Sequence, residues 1–148
     1  MTTNNEHQSQ VADARLLTIV GLAGIGVIHL LDSVETFHET RWLFWAYVAL
    51  MAATVIVGGA LLHRPTTRWF EAAGLLAVVP IIGFVLSRTT GLPGSDDDIG
   101  NWTDSLGLAS LWVEGAVLLT SGYVVALRAA TRPARVAPTL LRVSPLDR

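Results

Sequence analysis

The chain has 148 residues and a formal net charge of −2, and 51% of its residues are apolar while only 15% are charged. It contains no cysteine, which excludes disulfides, thiolate metal sites, iron–sulfur clusters and thiol nucleophiles. All ten basic residues are arginine, which excludes Schiff-base chemistry on lysine, and no nucleic-acid surface is indicated. Because the charges are grouped between four long apolar runs, the sequence predicts an all-α polytopic membrane protein, a four-helix transmembrane bundle.

The predicted domain organisation has three parts. Residues 1–14 are polar and rich in Asn, Gln and Thr, so we expect a disordered N-terminal tail. An Arg/Pro-rich tail is expected over residues 129–148. Between them, residues 15–128 form the predicted transmembrane domain. Its spans are expected at about residues 15–31, 43–63, 69–87 and 105–127.

The first apolar run, Leu16 to Leu31, is short for a membrane span, and we expect helix on either side to extend it. A signal peptide is the competing interpretation, which the lack of a small-x-small cleavage site disfavours. Gly21, Gly24 and Gly26 within this run indicate the close approach of a neighbouring helix.

Turn residues, a proline and an acidic loop mark the second, third and fourth spans. The second ends at a tight polar turn over residues 63–68, and Pro80 predicts a kink inside the third. The loop over residues 88–104 is the longest internal connection and contains three successive aspartates. These lack the spacing of a calcium-binding loop, so they are interpreted as solvated loop charge.

The arginines predict the orientation of the bundle. Six of the ten lie in the two tails and the 63–68 turn, Arg15 and Arg128 adjoin the tails on the same side, and only Arg41 and Arg88 lie on the other side. The positive-inside rule therefore predicts a multi-pass protein of the plasma membrane, embedded in the lipid bilayer with both termini in the cytoplasm. The acidic loops are expected to face outward.

Glu114 is the most unusual residue, because it lies about nine residues into the fourth span, or roughly 13 Å along a helix. An ionised carboxylate in an apolar layer costs several kcal/mol unless it is paired. A metal ligand, a proton carrier and a ligand counter-ion are the functional interpretations. A structural pair with Arg88, or a protonated glutamate hydrogen-bonded across helices, is the alternative.

His29 lies near the outer end of the first span. If the helix continues past the apolar run, a 100° step per residue places His29, Asp32, Glu35 and Glu39 within a 120° arc. His38 falls outside this arc. The sequence therefore predicts one histidine and three carboxylates on a single stripe of the helix.

Residues 35–38 also match the Glu-x-x-His spacing of bundle di-metal sites, but a second copy is missing, which disfavours a di-iron oxygenase. A single divalent ion such as zinc, copper or iron is the remaining metal hypothesis. A solvated acidic loop is the alternative. Arg88 is the candidate for binding a cofactor or ligand, or else it reaches the headgroups or pairs with a carboxylate. The candidate metal ligands are His29, Glu35, His38, Glu39 and Glu114.

Several short motifs occur in order along the chain: His29-Leu30, then Glu35, Phe37 and Glu39, then the string Ser87-Arg88-Thr89-Thr90-Gly91-Leu92-Pro93-Gly94, then Leu106-Gly107-Leu108-Ala109, and finally Glu114. Together these motifs resemble a group of small four-span membrane proteins common in actinobacteria. The resemblance covers roughly residues 15–128 and implies the fold and the membrane location, with no activity attached. By analogy, the outer His/Glu/Arg set would be the chemistry that such proteins share.

Two functions remain after these exclusions. The first is a membrane protein with a polar outer site that binds a divalent metal or a small ligand. The second is a non-catalytic accessory or structural subunit of a larger membrane complex, with other membrane subunits as partners. An enzyme or redox anchor is disfavoured, because His29 and His63 are predicted near opposite ends of adjacent spans and cannot ligate one haem.

Overall fold

The computed structural model describes residues 2–131, apart from the side chains of residues 2–5, 7 and 35. Within this range the chain forms four helices and no sheet. Each helix contains a stretch long and apolar enough to cross a membrane, which confirms the all-α prediction and the four candidate spans. The helices are α1 (Thr2–Glu39), α2 (Arg41–His63), α3 (Thr67–Thr89) and α4 (Ser105–Ala130).

The structure differs from the prediction at the start of the chain. Helix α1 begins at Thr2, where a disordered tail was predicted over residues 1–14. Residues 2–14 contain neither glycine nor proline, so nothing in the sequence interrupts the helix. This segment also has partners, because Ala14 is buried and the Tyr123 hydroxyl of α4 donates a hydrogen bond to Gln10 at 3.0 Å.

Helix α1 also extends beyond its apolar run, as expected, and ends at Glu39. Thr40 is the only residue between α1 and α2, so the predicted polar connection is mostly helical. At the other end of the chain, α4 continues to Ala130. Most of the predicted C-terminal tail, residues 132–148, lies outside the described residues.

Helix α1 lies between α2 and α4, and α3 completes the bundle by packing mainly against α4. Apolar side chains from all four helices fill the middle, while large apolar side chains such as Trp112, 82% exposed, cover the outside. An apolar outside suits contact with lipid tails, which are as apolar as leucine. The buried core includes Leu22, Ile25, Leu61, Phe70, Ala73, Ala77, Val117 and Val124.

The glycines of α1 permit the close helix contacts that the sequence predicts. A Cβ atom on Gly21 would overlap the side chain of Val117, and one on Gly24 would lie 3.0 Å from a methyl group of Val113. Both valines belong to α4. Because the missing side chains let two backbones approach, small residues at these positions hold α1 against α4.

The two ends of the bundle have different structures. The terminal end comprises the start of α1, the turn at residues 64–66 and the end of α4. There the Arg15 guanidinium donates to the Leu62 carbonyl at 2.5 Å and satisfies an acceptor in the last turn of α2. The cavity end comprises Thr40, the loop at residues 90–104 and the helix ends that they join.

The 90–104 loop is fastened to the bundle at several points. Gly91, Gly94 and Gly100 have φ values of 76°, 77° and 82°, which let the chain turn where other residues would be strained. The Thr40 hydroxyl donates to the Gly94 carbonyl at 3.0 Å, and the Trp42 indole donates to the carbonyl of residue 93 at 2.8 Å. The corner between α1 and α2 therefore holds the loop between α3 and α4.

Candidate functional site

A polar cavity of about 450 Å³ opens at the cavity end, lined by residues of all four helices and of the 90–104 loop. Its volume lies in the range of small-molecule sites. His29 of α1 and Glu114 of α4 lie deepest along their helices among its charged or titratable lining residues. A second groove of about 390 Å³, between α1 and α2, is lined almost wholly by apolar side chains.

The hydrogen bonding of His29 determines which of its ring nitrogens faces the cavity. The side chain is 7% exposed, and its Nδ1 lies 2.9 Å from the Ile25 carbonyl oxygen one turn earlier in α1. Because a carbonyl only accepts, this bond requires the proton on Nδ1. In the neutral ring, Nε2 is then an acceptor, and it lies 3.9 Å from Oε1 of Glu114.

Glu114 is 1% exposed, and the structure satisfies only one of its two carboxylate oxygens. The Ser110 hydroxyl, one turn earlier in α4, donates to Oε1 at 2.5 Å. Among the described residues, Oε2 has no hydrogen-bond partner. The expected convergence of His29 and Glu114 is thus present, and with Glu114 ionised it places two facing acceptors in a buried site, with no donor between them among the described residues.

Arg88 lines the cavity and its charge is paired with two loop carboxylates, although its Nε and Nη1 atoms have no hydrogen-bond partner among the described residues. Its side chain is buried at the end of α3, with Nη1 2.5 Å from Asp98 and Nη2 3.2 Å from Asp104. The guanidinium carbon also lies 4.9 Å from the centre of the Phe84 ring. The suggested pair between Arg88 and Glu114 is not formed, because Arg88 binds the loop instead.

Asp104 connects this ion pair to helix α4. Its carboxylate accepts hydrogen bonds from the backbone amides of Leu106 at 3.3 Å and Gly107 at 2.9 Å, which makes it the N-cap of α4. Sequence reasoning missed this role, although an aspartate immediately before an apolar run is a helix-start signal. Tyr47 was missed as well, and its ring packs edge-on against His29 with the centroids 5.0 Å apart.

Two of the remaining predicted ligands, His38 and Glu39, do not join His29 and Glu114. Glu39 is exposed at the rim of the cavity, and His38 is exposed outside it, beside the ring of Phe37. The side chain of Glu35 is not described. Within the part of the chain that the structure covers, no three His, Asp or Glu side chains are grouped to hold a metal ion. A divalent zinc, copper or iron site therefore has no support from the geometry.

The charges around the cavity are strongly unequal. Arg88 is the lining arginine, and it is ion-paired with two of the carboxylates. A cleft lined by an excess of one sign concentrates ions of the opposite sign, so we expect this cavity to favour cations over anions. The acidic residues among its lining are Asp32, Glu39, Asp97, Asp98, Asp104 and Glu114.

Comparison with known proteins gives no match among family models, curated proteins or solved structures. The resemblance to small four-span actinobacterial proteins therefore stays a prediction from sequence motifs. Any functional conclusion depends on the geometry of the cavity itself.

Proposed function

We propose that this chain is an integral membrane protein that binds a small ligand in the polar cavity, with His29 and Glu114 at its floor. The observation that carries the proposal is the unpartnered Oε2 atom of Glu114, in a side chain only 1% exposed. A buried carboxylate oxygen without a donor costs free energy, and a ligand that supplies the donor removes that cost. Of the four candidate metal ligands whose side chains the structure describes, only His29 and Glu114 meet, so a small molecule is favoured over a divalent ion.

The distribution of arginines supports an orientation in which the cavity opens to the outside of the plasma membrane and both termini lie in the cytoplasm. Because the natural chain has no cysteine, single-cysteine variants give labelling without background. We expect Thr103→Cys, exposed in the loop, to react with a membrane-impermeant maleimide on intact cells. The matched variant Thr66→Cys, exposed in the opposite turn, should react only after permeabilisation. The reverse pattern would place the cavity on the cytoplasmic side.

Binding is tested on purified protein in lipid nanodiscs with four separate probes: butylammonium, butyrate, butanol and Zn²⁺. A ligand that binds only the folded state raises the unfolding temperature in a saturable way. We expect at least one organic probe to do so with the natural protein. His29→Ala should abolish the effect, because it removes one acceptor of the floor.

The matched control is His38→Ala, which changes a histidine of the same helix that lies outside the cavity. It should keep the stabilisation seen with the natural protein. Zn²⁺ has a separate outcome. If it stabilises the natural protein but neither His29→Ala nor His38→Ala, the metal site predicted from the sequence is supported instead. If no probe stabilises the protein, the binding proposal fails and the accessory-subunit alternative gains, to be followed by co-purification of membrane partners.

A further inference from the structure

We infer that the ligand of this cavity is a small organic primary ammonium ion, whose N–H groups bridge Nε2 of His29 and the carboxylate of Glu114. The inference rests on the proposed binding function and specifies its chemistry. It depends on three properties of the site: what its floor offers, the charge of its walls and the apolar surface beside them.

With Glu114 ionised, the floor offers two acceptors, and no described residue places a donor between them. In the neutral ring, the Nδ1–H group of His29 donates to the Ile25 carbonyl, so Nε2 carries a lone pair and can accept a hydrogen bond. The Ser110 hydroxyl donates to Oε1 of Glu114, and Oε2 has no hydrogen-bond partner among the described residues. Carboxylates, carbonyls and other acceptor-only groups cannot satisfy this pair, whereas a donor can.

The separation of the two acceptors suits a single bridging nitrogen. Nε2 of His29 and Oε1 of Glu114 are 3.9 Å apart. An N–H donor lies about 2.9 Å from its acceptor, so one nitrogen can reach both atoms at once. A primary ammonium carries three N–H groups, so after bridging Nε2 and Oε1 it keeps a third for Oε2 of the same carboxylate, the oxygen that lacks a partner among the described residues.

Charge selects the ammonium over a neutral donor. A water molecule or an alcohol can also bridge two acceptors, but the surrounding carboxylates outnumber the lining arginine, which is already paired. A cation gains from this field and an uncharged molecule does not. A divalent metal is the other cationic class, and it lacks a third protein ligand among the described residues.

The walls indicate that the cation is organic. Leu43, Pro80 and Leu106 line the same cavity as the polar floor. An alkyl chain attached to the ammonium can cover these side chains and remove apolar surface from water. A bare inorganic cation would leave that surface exposed.

The test compares two cations of equal charge that differ in their donors. Butylammonium has three N–H groups, and butyltrimethylammonium has none. Dissociation constants are measured by titration calorimetry on the natural protein in lipid nanodiscs, with butanol and butyrate as uncharged and anionic controls. We expect butylammonium to bind at least tenfold more tightly than each of the other three. Glu114→Gln should raise the dissociation constant of butylammonium at least tenfold, because it removes the negative charge of the Glu114 carboxylate.

The outcomes separate this inference from the proposed function. Equal binding of the two cations would overturn the bridging donor, and tighter binding of butanol or butyrate would overturn the cationic class. In both cases the cavity would still be a ligand site. Binding of none of the four probes would overturn both. The comparison on the natural protein decides these outcomes even if Glu114→Gln fails to fold.

Discussion

Replacing Arg88 with alanine is expected to lower the free energy of unfolding by about 2 kcal/mol, a value between those of exposed and buried ion pairs. The Arg88 side chain is 6% exposed, and its guanidinium pairs with Asp98 and Asp104. The two carboxylates are 44% and 35% exposed, so water recovers part of the loss when the arginine is removed. The contact with Phe84 is lost as well.

Equilibrium unfolding in mixed detergent micelles measures this change, and hydrogen exchange locates it. We expect amides of the 90–104 loop to exchange faster in Arg88→Ala, because the loop loses its ion pairs with α3. Arg88→Lys should be intermediate, since an ammonium cannot reproduce the two-armed contact of guanidinium. Arg41→Ala, an exposed arginine at the same end of the bundle, serves as the control and should have little effect. Equal stability of Arg88→Ala and Arg41→Ala would contradict the role assigned to Arg88.

Gly21→Ala is expected to destabilise the bundle by about 1 to 3 kcal/mol, the usual cost of overpacking a core. Helix propensity favours alanine over glycine by about 1 kcal/mol, so propensity alone predicts that Gly21→Ala stabilises the protein. The added Cβ would meet Val117, which is fully buried and β-branched and therefore cannot move aside easily. The contact between α1 and α4 must open instead.

A double substitution tests this explanation directly. Val117→Ala alone leaves a cavity and should also destabilise the protein. In the Gly21→Ala background the same change makes room for the new Cβ, so the double variant should be more stable than the sum of the single effects predicts. Gly59→Ala on α2, where no atom lies within 4 Å of an added Cβ, is the control and should be neutral or stabilising. Equal effects of Gly21→Ala and Gly59→Ala would contradict the close contact.

The four helices and the shared side of His29, Asp32 and Glu39 on α1 could be predicted because both follow from local pattern. Hydropathy identifies a span, and the 100° step places His29 and Glu39 toward one side with His38 away from it. The Glu-x-x-His match at residues 35–38 also depends on local spacing alone, and this spacing did not predict where the His38 side chain lies. Spacing along a helix brings side chains near each other, but it does not say whether that face meets the bundle, and His38 is exposed.

The parts that could not be predicted depend on contacts distant in sequence. Composition indicated a disordered tail over residues 1–14, whereas the first helix runs through it and meets Tyr123 of α4. The pairing of Arg88 with Asp98 depends on how three glycines fold the loop back onto α3. Nothing in the spacing of charges distinguishes Asp98 from its two acidic neighbours.

The turn of three residues at 64–66 divides the chain into two hairpins, and the floor of the cavity takes one side chain from each. A ribosome makes His29 and the whole first hairpin before α4 exists. During that interval the glycine face of α1 lacks the helix that covers it in the finished protein. The cavity therefore comes into being only with the last helix, and a chain arrested during its insertion has no site to occupy.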